Sequence, residues 1–329
     1  MVGINMRGVV VDILGIDVGK NDLHAALLSQ NGKSWSKSVP NSTAGIKQLH
    51  TWLKNRKTET LHVCLEATGG WSEAVALDLH EGGHIVSIVN PSRIKAFAKS
   101  EMLRTKTDKV DAALIARFCK LHQPEPWVPP APEILVLQGL VRRYQSLLQM
   151  RIEEENRLDA PAVTREVRAS IEMILHHLEA EMERINREIE DVFTNHPPLR
   201  KQRDLLTSIP GIGETTAARI LGEMPNIAQF RNVKAVGAYA GLSPRHYQSG
   251  TIRQASRLVK TGNARLRCAL YFPAMVAIKW NPIIRNMAER MSRQGKSKMC
   301  MIGAAMRKLI TLAYGVLKSG KAFDPAYAS

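Results

Sequence analysis

Two aspartates in the first third of the chain have a spacing that suits a divalent metal ion. Asp108 and Asp111 open a predicted helix that continues through Phe118. Residues three apart on a helix share one face, with Cβ atoms about 5–6 Å apart. Two carboxylates at that spacing repel each other, whereas a hard cation such as Mg²⁺ between them would reverse the sign of the interaction. Capping of the first helical turn is the alternative explanation for this pair.

Two more acids, Asp17 and Glu66, each end a short apolar run with β-branched residues, and glycine follows closely at Gly19 and Gly69. Both runs are predicted strands, and open α/β sheets place their sites at the carboxyl ends of strands. Together with the helical pair, four carboxylates could therefore converge. That set suits a two-metal phosphoryl-transfer site, in which the ions lie about 3.5–4 Å apart.

Length, charge and cysteine usage restrict the class of protein. The 329 residues are enough for two domains or slightly more, and the net charge of +16 predicts a polyanionic partner, nucleic acid before membrane. No run of about 18 uncharged apolar residues is present, so we expect no transmembrane helix. The four cysteines are scattered without a C-x-x-C pair. This argues against zinc and a disulfide framework, and it fits a reducing cytoplasm.

The first 123 residues predict a mixed α/β sheet domain. We expect strands at 9–18, 23–28, 34–39, 61–65 and 84–89, and helices at 43–54, 72–80, 93–100 and from residue 108. Three meandering strands followed by helix, strand, helix, strand and helices is the element order of a ribonuclease-H-like fold. Asp12 lies five residues from Asp17, on the opposite face of the first strand. Asp22 is assigned to a turn.

A proline-dense segment at 123–130 is the predicted boundary between a domain at 9–123 and a helical region at 131–196. Apolar residues in steps of four and three form a heptad seam of about three repeats. The seam consists of Ile171, Leu175, Leu178, Met182, Ile185, Ile189 and Val192. It predicts either an antiparallel helical hairpin within the chain or a dimerisation coiled coil.

The remaining segment, 199–322, is predicted to be a mainly helical domain with nucleic-acid contacts. A helix, a tight turn containing Gly211 and Gly213, and a second helix resemble a helix-hairpin-helix, whose glycine N–H groups meet a phosphate. A plain helical turn is the alternative. Between residues 243 and 308 there are fourteen Lys or Arg and one acid, which indicates a phosphate-binding surface. The candidate contacts are Gly211, Gly213, Arg245, Arg253, Arg257, Lys260, Arg265 and Arg267.

Ser249 is a candidate nucleophile in this basic segment. It precedes Gly250 and is flanked by Arg245, Arg253 and Arg257. A serine attacks phosphate only when its proton is removed and the phosphate charge is neutralised, and arginines suit the second task. Taken alone, a Ser-Gly pair in a basic loop is more often a turn or a phosphate-contact hydroxyl.

Motifs throughout the chain resemble one known family. They are Gly15-Ile16-Asp17-Val18-Gly19-Lys20, Cys64-Leu65-Glu66-Ala67-Thr68-Gly69, Asn90-Pro91, Lys95-Ala96-Phe97-Ala98, Thr107-Asp108-Lys109-Val110-Asp111-Ala112, Ile209-Pro210-Gly211-Ile212-Gly213, Ala240-Gly241-Leu242-Ser243-Pro244-Arg245, Ser249-Gly250 and Tyr314-Gly315-Val316-Leu317-Lys318. In this order they resemble the DEDD transposases of bacterial insertion sequences, the bridge-RNA-guided serine recombinases.

The resemblance implies a RuvC-like N-terminal domain, a helical coiled-coil arm and a C-terminal transposase domain. The family's four acids map onto Asp17, Glu66, Asp108 and Asp111, with one or two Mg²⁺ ions per site, and its nucleophilic serine maps onto Ser249. The implied partners are target and donor double-stranded DNA, a noncoding bridge RNA and further copies of the chain in a tetramer built as a dimer of dimers. Two rival interpretations are a junction-resolvase-like nuclease that uses water as nucleophile and a non-catalytic nucleic-acid scaffold.

Overall fold

The computed structural model describes residues 11–102, 107–224, 226–227, 230–245, 248–249, 252–253 and 257–328. The side chains of residues 246–257 and 327–328 lie outside the described part. The chain divides into two compact units, Met1–Pro129 and Pro130–Ser329. The division falls in the proline-dense segment that the sequence predicts as a boundary.

The first unit is a five-stranded mixed sheet with helices. Its elements are β1 (Asp12–Val18), β2 (Asp22–Leu28), β3 (Ser34–Pro40), α1 (Thr43–Lys54), β4 (Leu61–Glu66), α2 (Gly70–Glu81), β5 (Ile85–Val89), α3 (Pro91–Ser100) and α4 (Asp108–His122). The strand order is β3-β2-β1-β4-β5. β1 pairs antiparallel with β2 and parallel with β4, and β4 pairs parallel with β5. This confirms the predicted ribonuclease-H-like order of elements.

The two faces of the sheet pack against different helices. Leu14 and Leu65 are fully buried in a core shared with residues of α1 and α2. On the other face, Cys64 packs with α3 and α4. Two causes raise the pKa of Cys119 in α4 well above its ordinary value: a hydrogen bond with the Cys64 thiol is the larger, and burial is the second.

Gly15 explains how closely α4 approaches β1. A Cβ at this position would collide with the backbone of Ala112 and Ala116 in α4. Any larger residue would therefore push the helix away from the strand. The absence of a side chain at Gly15 thus positions the helix that carries the aspartate pair.

The second unit is mainly helical. Its elements are α5 (Pro132–Leu158), α6 (Arg165–Asn195), α7 (Pro197–Thr207), α8 (Glu214–Glu223), α9 (Val233–Tyr239), β6 (Pro244–Arg245), β7 (Gln248–Ser249), β8 (Ile252–Arg253), β9 (Arg257–Leu258), α10 (Ala264–Ala269), α11 (Tyr271–Trp280), α12 (Pro282–Arg293), α13 (Lys298–Ser319) and a 3₁₀ turn (Pro325–Ala328). The short strands pair as β6 with β9 and β7 with β8.

The heptad seam packs within the chain. Leu178, Met182 and Ile185 of α6 are buried in one core with Leu137 and Val141 of α5. The two helices, joined by a short connection, form the intrachain hairpin of the two predicted alternatives. The same core continues into the helices of the C-terminal segment, so regions 131–196 and 199–322 belong to one compact unit.

Among the helices in the described ranges, α13 has the length and composition to cross a membrane, with a mean hydropathy of 1.4 over its most apolar window. The sequence did not suggest a span because Arg307 and Lys308 interrupt the apolar run. Leu309, Ile310 and Ala313 of α13 are fully buried in the core of the second unit. The apolar composition of α13 is therefore explained by its packing.

Candidate active site

Asp17 and Glu66 occupy adjacent positions on two neighbouring parallel strands, β1 and β4. The last residues of the β1–β4 ladder immediately precede the two acids. The acids therefore lie side by side within the sheet, on neighbouring strands about 4.8 Å apart. Both are half-buried. Side chains alternate along a strand, and each acid is two residues beyond a position on the α4 side, Gly15 or Cys64. Both carboxylates are therefore on the α4 side of the sheet.

The first turn of α4 carries the other two acids. Thr107 caps the helix by accepting a hydrogen bond from the N–H of Val110 at 3.4 Å, and Asp108 and Asp111 follow in the first turn. Asp108 is exposed and Asp111 is half-buried. The packing of the next turns on Gly15 holds this end of the helix near β1. Asp108 and Asp111 can therefore stabilise the start of α4 and also lie beside Asp17 and Glu66.

His24 connects the helical acids to the strand acids. It is the partner of Asp17 in the β1–β2 ladder. Its Nε2 lies 3.4 Å from Oδ2 of Asp108. One residue of β2 thus contacts the start of α4 beside the end of β1. The motif analysis missed His24, although counting back through the four residues 19–22 between the two predicted strands would have placed it opposite Asp17.

The four acids suit a divalent metal ion in donor chemistry and in placement. Carboxylate oxygens are the hard donors that Mg²⁺ prefers, and all four acids belong to one face and one end of the sheet. Among the residues that the structure describes, no three His, Cys, Asp or Glu side chains are clustered tightly enough to hold an ion as they stand. Coordination would therefore draw Asp17, Glu66, Asp108 and Asp111 closer together.

Two other acids of the first unit have structural positions, as predicted. Asp12 accepts hydrogen bonds from Ser29 Oγ at 3.0 Å and from the N–H of Gln30 at 2.9 Å, so it holds the far end of the β2 strand. Asp22 is at the turn between β1 and β2, where its carbonyl accepts from the N–H of Gly19 at 2.9 Å. Asp12, on the opposite face of β1, therefore does not compete for the site, and the backbone of Asp22 has the predicted turn position.

Ser249 lies at the tip of an excursion from the second unit. Its backbone in β7 pairs with Ile252 in β8, and the excursion leaves and returns through the β6–β9 pair, where Arg245 faces Arg257. The side chains of Ser249, Arg253 and Arg257 lie outside the described residues. For Ser249, the structure therefore describes only the backbone and its pairing in β7.

The base of this excursion is closed by backbone hydrogen bonds, and we call residues 239–243 and 259–263 the neck. The N–H of Asn263 donates to the carbonyl of Tyr239 at 2.6 Å, and the N–H of Lys260 donates to that of Gly241 at 3.2 Å. Gly241 has a φ of +67°, and a Cβ there would meet the backbone of Lys260 at 3.1 Å. The neck therefore tolerates little change at this glycine.

A buried carboxylate fastens the neck to the helical core. Glu223 at the end of α8 is 3% exposed. Its Oε1 accepts from Arg142 Nε at 2.9 Å, and its Oε2 accepts from Asn263 Nδ2 at 2.9 Å. The Tyr239 hydroxyl donates to the Glu223 carbonyl at 2.8 Å. The sequence signal for this network was an acid at the end of a helix with an apolar run, which the motif analysis passed over.

The other predicted nucleic-acid contacts have different surroundings. Arg267 donates from Nη1 to the Ala240 carbonyl at 3.2 Å, so it supports the neck. Lys260 and Arg265 are exposed. In the turn between α7 and α8, Gly211 has a φ of +106° and packs on α11, which accounts for glycine there. Gly213 is exposed at the start of α8.

Comparison with known proteins gives the family. A model described as the transposase IS116/IS110/IS902 family matches residues 203–289, and a second transposase model, for the DEDD type of IS110, matches residues 14–162. A pilin gene-inverting protein of Moraxella bovis is 34% identical over 316 residues, which cover 94% of this chain and 97% of that protein. The chain belongs to the IS110 family of DEDD transposases. The matches confirm the family-level resemblance found in the motifs.

Two further matches to this IS110-family transposase have lower sequence identity. The transposase for insertion sequence element IS1328 of Yersinia enterocolitica is 23% identical over 287 residues, which cover 78% of this chain and 81% of that protein. A RuvC structure from T. thermophilus, in complex with a Holliday junction substrate, is 18% identical. It covers 36% of this chain and 100% of that chain, with a TM-score of 0.27.

Proposed function

We propose that this transposase cleaves and rejoins DNA strands at a site formed by Asp17, Glu66, Asp108 and Asp111. The observation that carries the proposal is the placement of all four acids on the α4 side of the sheet, at the end of β1 and β4. The chain is otherwise basic, with a net charge of +16. A concentrated acidic site inside a basic protein suits a bound cation that faces a polyanion.

The acids would hold one or two Mg²⁺ ions, which polarise the scissile phosphate and stabilise the departing oxygen when bound. The protein's own contribution is positioning. Asp17 and Glu66 are fixed by a parallel ladder, while Gly15 lets the acids of α4 approach. His24 contacts Asp108 at 3.4 Å and orients it.

Ser249 is the proposed nucleophile. Its Oγ attacks the phosphorus, forming a serine–phosphate bond as the bond from phosphorus to the deoxyribose oxygen breaks. The hydroxyl proton is lost to solvent, and the departing oxygen takes up a proton. Because the new ester keeps the bond energy of the old one, a strand can be rejoined without a nucleotide cofactor. Arg245, Arg253 and Arg257 would stabilise the charge that develops on the phosphate oxygens.

The proposed partners are target and donor DNA, a noncoding bridge RNA and further copies of this chain in a tetramer. Backbone contacts would come from the basic segment, from the exposed Lys260 and Arg265 and from the N–H groups near Gly213 in a helix-hairpin-helix. Glu214 follows Gly213 directly and would repel a phosphate. A phosphate at this turn would therefore sit on the side of the N–H groups.

A trapped protein–DNA adduct tests the serine. The protein is purified from cells that carry its native flanking DNA, and any RNA that co-purifies is sequenced to define the DNA substrates. With Mg²⁺, wild-type protein should form a covalent adduct that survives denaturation. Ser249→Ala should lose both the adduct and strand cleavage, and Ser243→Ala in the neck should keep both. Cleavage by Ser249→Ala without an adduct would favour a nuclease that uses water.

Programmed inversion is a second candidate reaction, because the relative from Moraxella bovis is named a pilin gene-inverting protein. Inversion and transposition use the same cleavage and rejoining steps and differ in the arrangement of the two DNA sites. A plasmid with two substrate sites in inverted orientation would distinguish them. Inversion of the intervening segment supports the second candidate, and insertion products alone support transposition.

A further inference from the structure

A small depression lies beside the acids on the outer half of the sheet. It has a volume of about 130 Å³. It is lined by His24, Ala25, Ser36, Lys37, Ser38 and Lys109. We call it the β3 depression, because three of these residues belong to the edge strand. Pockets for drug-sized ligands are about 300–1,000 Å³, so this one suits a single small group.

The β3 depression is continuous with the candidate active site. His24 lines the depression and also contacts Asp108 at 3.4 Å. Ser38 pairs with His24 across the β2–β3 ladder, which puts both side chains on the same face of the sheet. Lys109 follows Asp108 in the first turn of α4. The depression therefore adjoins the acids and shares α4 with them.

The charge changes sign at His24. On one side are the four carboxylates, and on the other the lining side chains on this face include Lys109, Ser36 and Ser38, with no Asp or Glu among the lining residues. Lys37 alternates to the opposite face with Trp35 and Val39, whereas Lys109, Ser36 and Ser38 are exposed on this face, so their ammonium and hydroxyl groups can reach a ligand. Lysine binds phosphate as a point charge, and hydroxyls donate to phosphate oxygens. This donor set suits one phosphate and disfavours a cation.

We propose that the β3 depression binds a phosphodiester next to the one that is cut, on the same DNA strand. The proposal rests on the proposed function, since it assumes that the scissile phosphate lies at the four acids. It assigns the strand a path from the ends of β1 and β4, past His24, towards the β3 edge. A strand held at two successive phosphates cannot rotate about the first, so the depression would set the orientation of the cut phosphate.

The salt dependence of DNA binding tests the subsite. Full-length protein is titrated with a fluorescein-labelled DNA duplex in Ca²⁺ at several salt concentrations. Each phosphate contact contributes about 0.9 to the slope of log affinity against log salt. Lys109→Ala should lower the slope by about 0.9, and Lys109→Arg should keep it. Lys47→Ala is the matched control, because Lys47 is an exposed lysine on α1, on the other face of the sheet.

The outcomes separate this proposal from the proposed function. If Lys109→Ala keeps the wild-type slope, or if Lys47→Ala lowers it equally, the β3 depression is not a phosphate subsite. Strand cleavage by Asp17→Asn in Mg²⁺ is measured separately. Full activity of that variant would remove the acids from the mechanism, whereas the slope for Lys109 would still report whether a phosphate binds in the depression.

Discussion

At the scale of single residues, the groups that contact and orient each acid matter as much for its role as the acid itself. Asp108 is the most exposed of the helical acids, and His24 is its described contact in the first unit. Groups that orient a metal ligand through a hydrogen bond commonly change metal affinity by about 10- to 100-fold when they are removed. The same logic applies to Glu223, which touches no proposed substrate group but anchors the neck.

Removal of the His24 imidazole should weaken metal use without unfolding the protein. We expect His24→Ala to raise the Mg²⁺ concentration needed for half-maximal strand cleavage by about tenfold. The readout is cleavage of the DNA substrate over a Mg²⁺ titration, with circular dichroism as the check on folding. His50→Ala is a suitable control, since His50 contacts Asp78 away from the site. An unchanged Mg²⁺ requirement would mean that His24 does not orient Asp108.

The Glu223 network should contribute to the stability of the second unit. Glu223→Ala leaves the Arg142 guanidinium without its partner and Asn263 without an acceptor. We expect a loss of about 3 kcal/mol in the free energy of unfolding, because removing one partner of a buried ion pair leaves the other charge buried without compensation. Urea denaturation measures it, with Glu179→Ala on the exposed face of α6 as control. Equal stability of the two variants would contradict this account of the neck.

At the scale of elements, the position of α4 depends on one strand residue. Gly15→Ala places a methyl group against the backbone of Ala112 and Ala116, which cannot move as a side chain can. We expect a destabilisation of at least about 2 kcal/mol and a loss of strand cleavage, because α4 must shift away from β1. Gly70→Ala in α2 is the control, since a Cβ there meets nothing within 4 Å. Wild-type stability for Gly15→Ala would show that α4 is not held this way.

The elements themselves were largely predictable from sequence. Apolar alternation gave the strands of the first unit, and the helix at 43–54 is found with the predicted bounds. Asp17 and Glu66 could be chosen because each ends such a run. The pairing of residues on neighbouring strands and helices could not be predicted from these local patterns. The contact of His24 with Asp108, the β3 depression and the neck all depend on which residues lie opposite one another, and local patterns do not report that.

The heptad seam shows the same limit. Its period correctly predicted a packed helix, but the period is identical for packing within a chain and between chains. The structure places Leu178 and Met182 in the intrachain core. A charged substitution at Leu178 would therefore disturb the hairpin whether or not the arm also joins copies.

At the scale of the whole molecule, the hairpin retains an exposed apolar set at the end away from the C-terminal helices. Met150 on α5, with Val167, Met173 and Ile174 on α6, are exposed. Met173 is the most open of them, at 69%. Exposed apolar residues grouped on one element are typical of contact surfaces between proteins. They are the better place to test assembly.

Met173→Glu should weaken assembly while it preserves the fold of each copy. A carboxylate at an exposed position costs little in the single chain, whereas its burial between copies without a partner is costly. Light scattering coupled to size exclusion should show the proposed tetramer for wild type and smaller species for Met173→Glu. Glu172→Gln, at an exposed neighbouring position on α6, is the control. A tetramer that persists in Met173→Glu would exclude this end of the arm as the contact.

The central claim, that four acids on one sheet face form a single metal site, is most directly tested by counting bound Mn²⁺ with electron paramagnetic resonance. The variants Asp17→Asn and Glu66→Gln, and the double variant Asp108→Asn with Asp111→Asn, should each lose the tight Mn²⁺ binding of the wild type. Asp12→Asn, on the opposite face of β1, should keep it. Tight Mn²⁺ binding that survives in Asp17→Asn and Glu66→Gln would contradict the account.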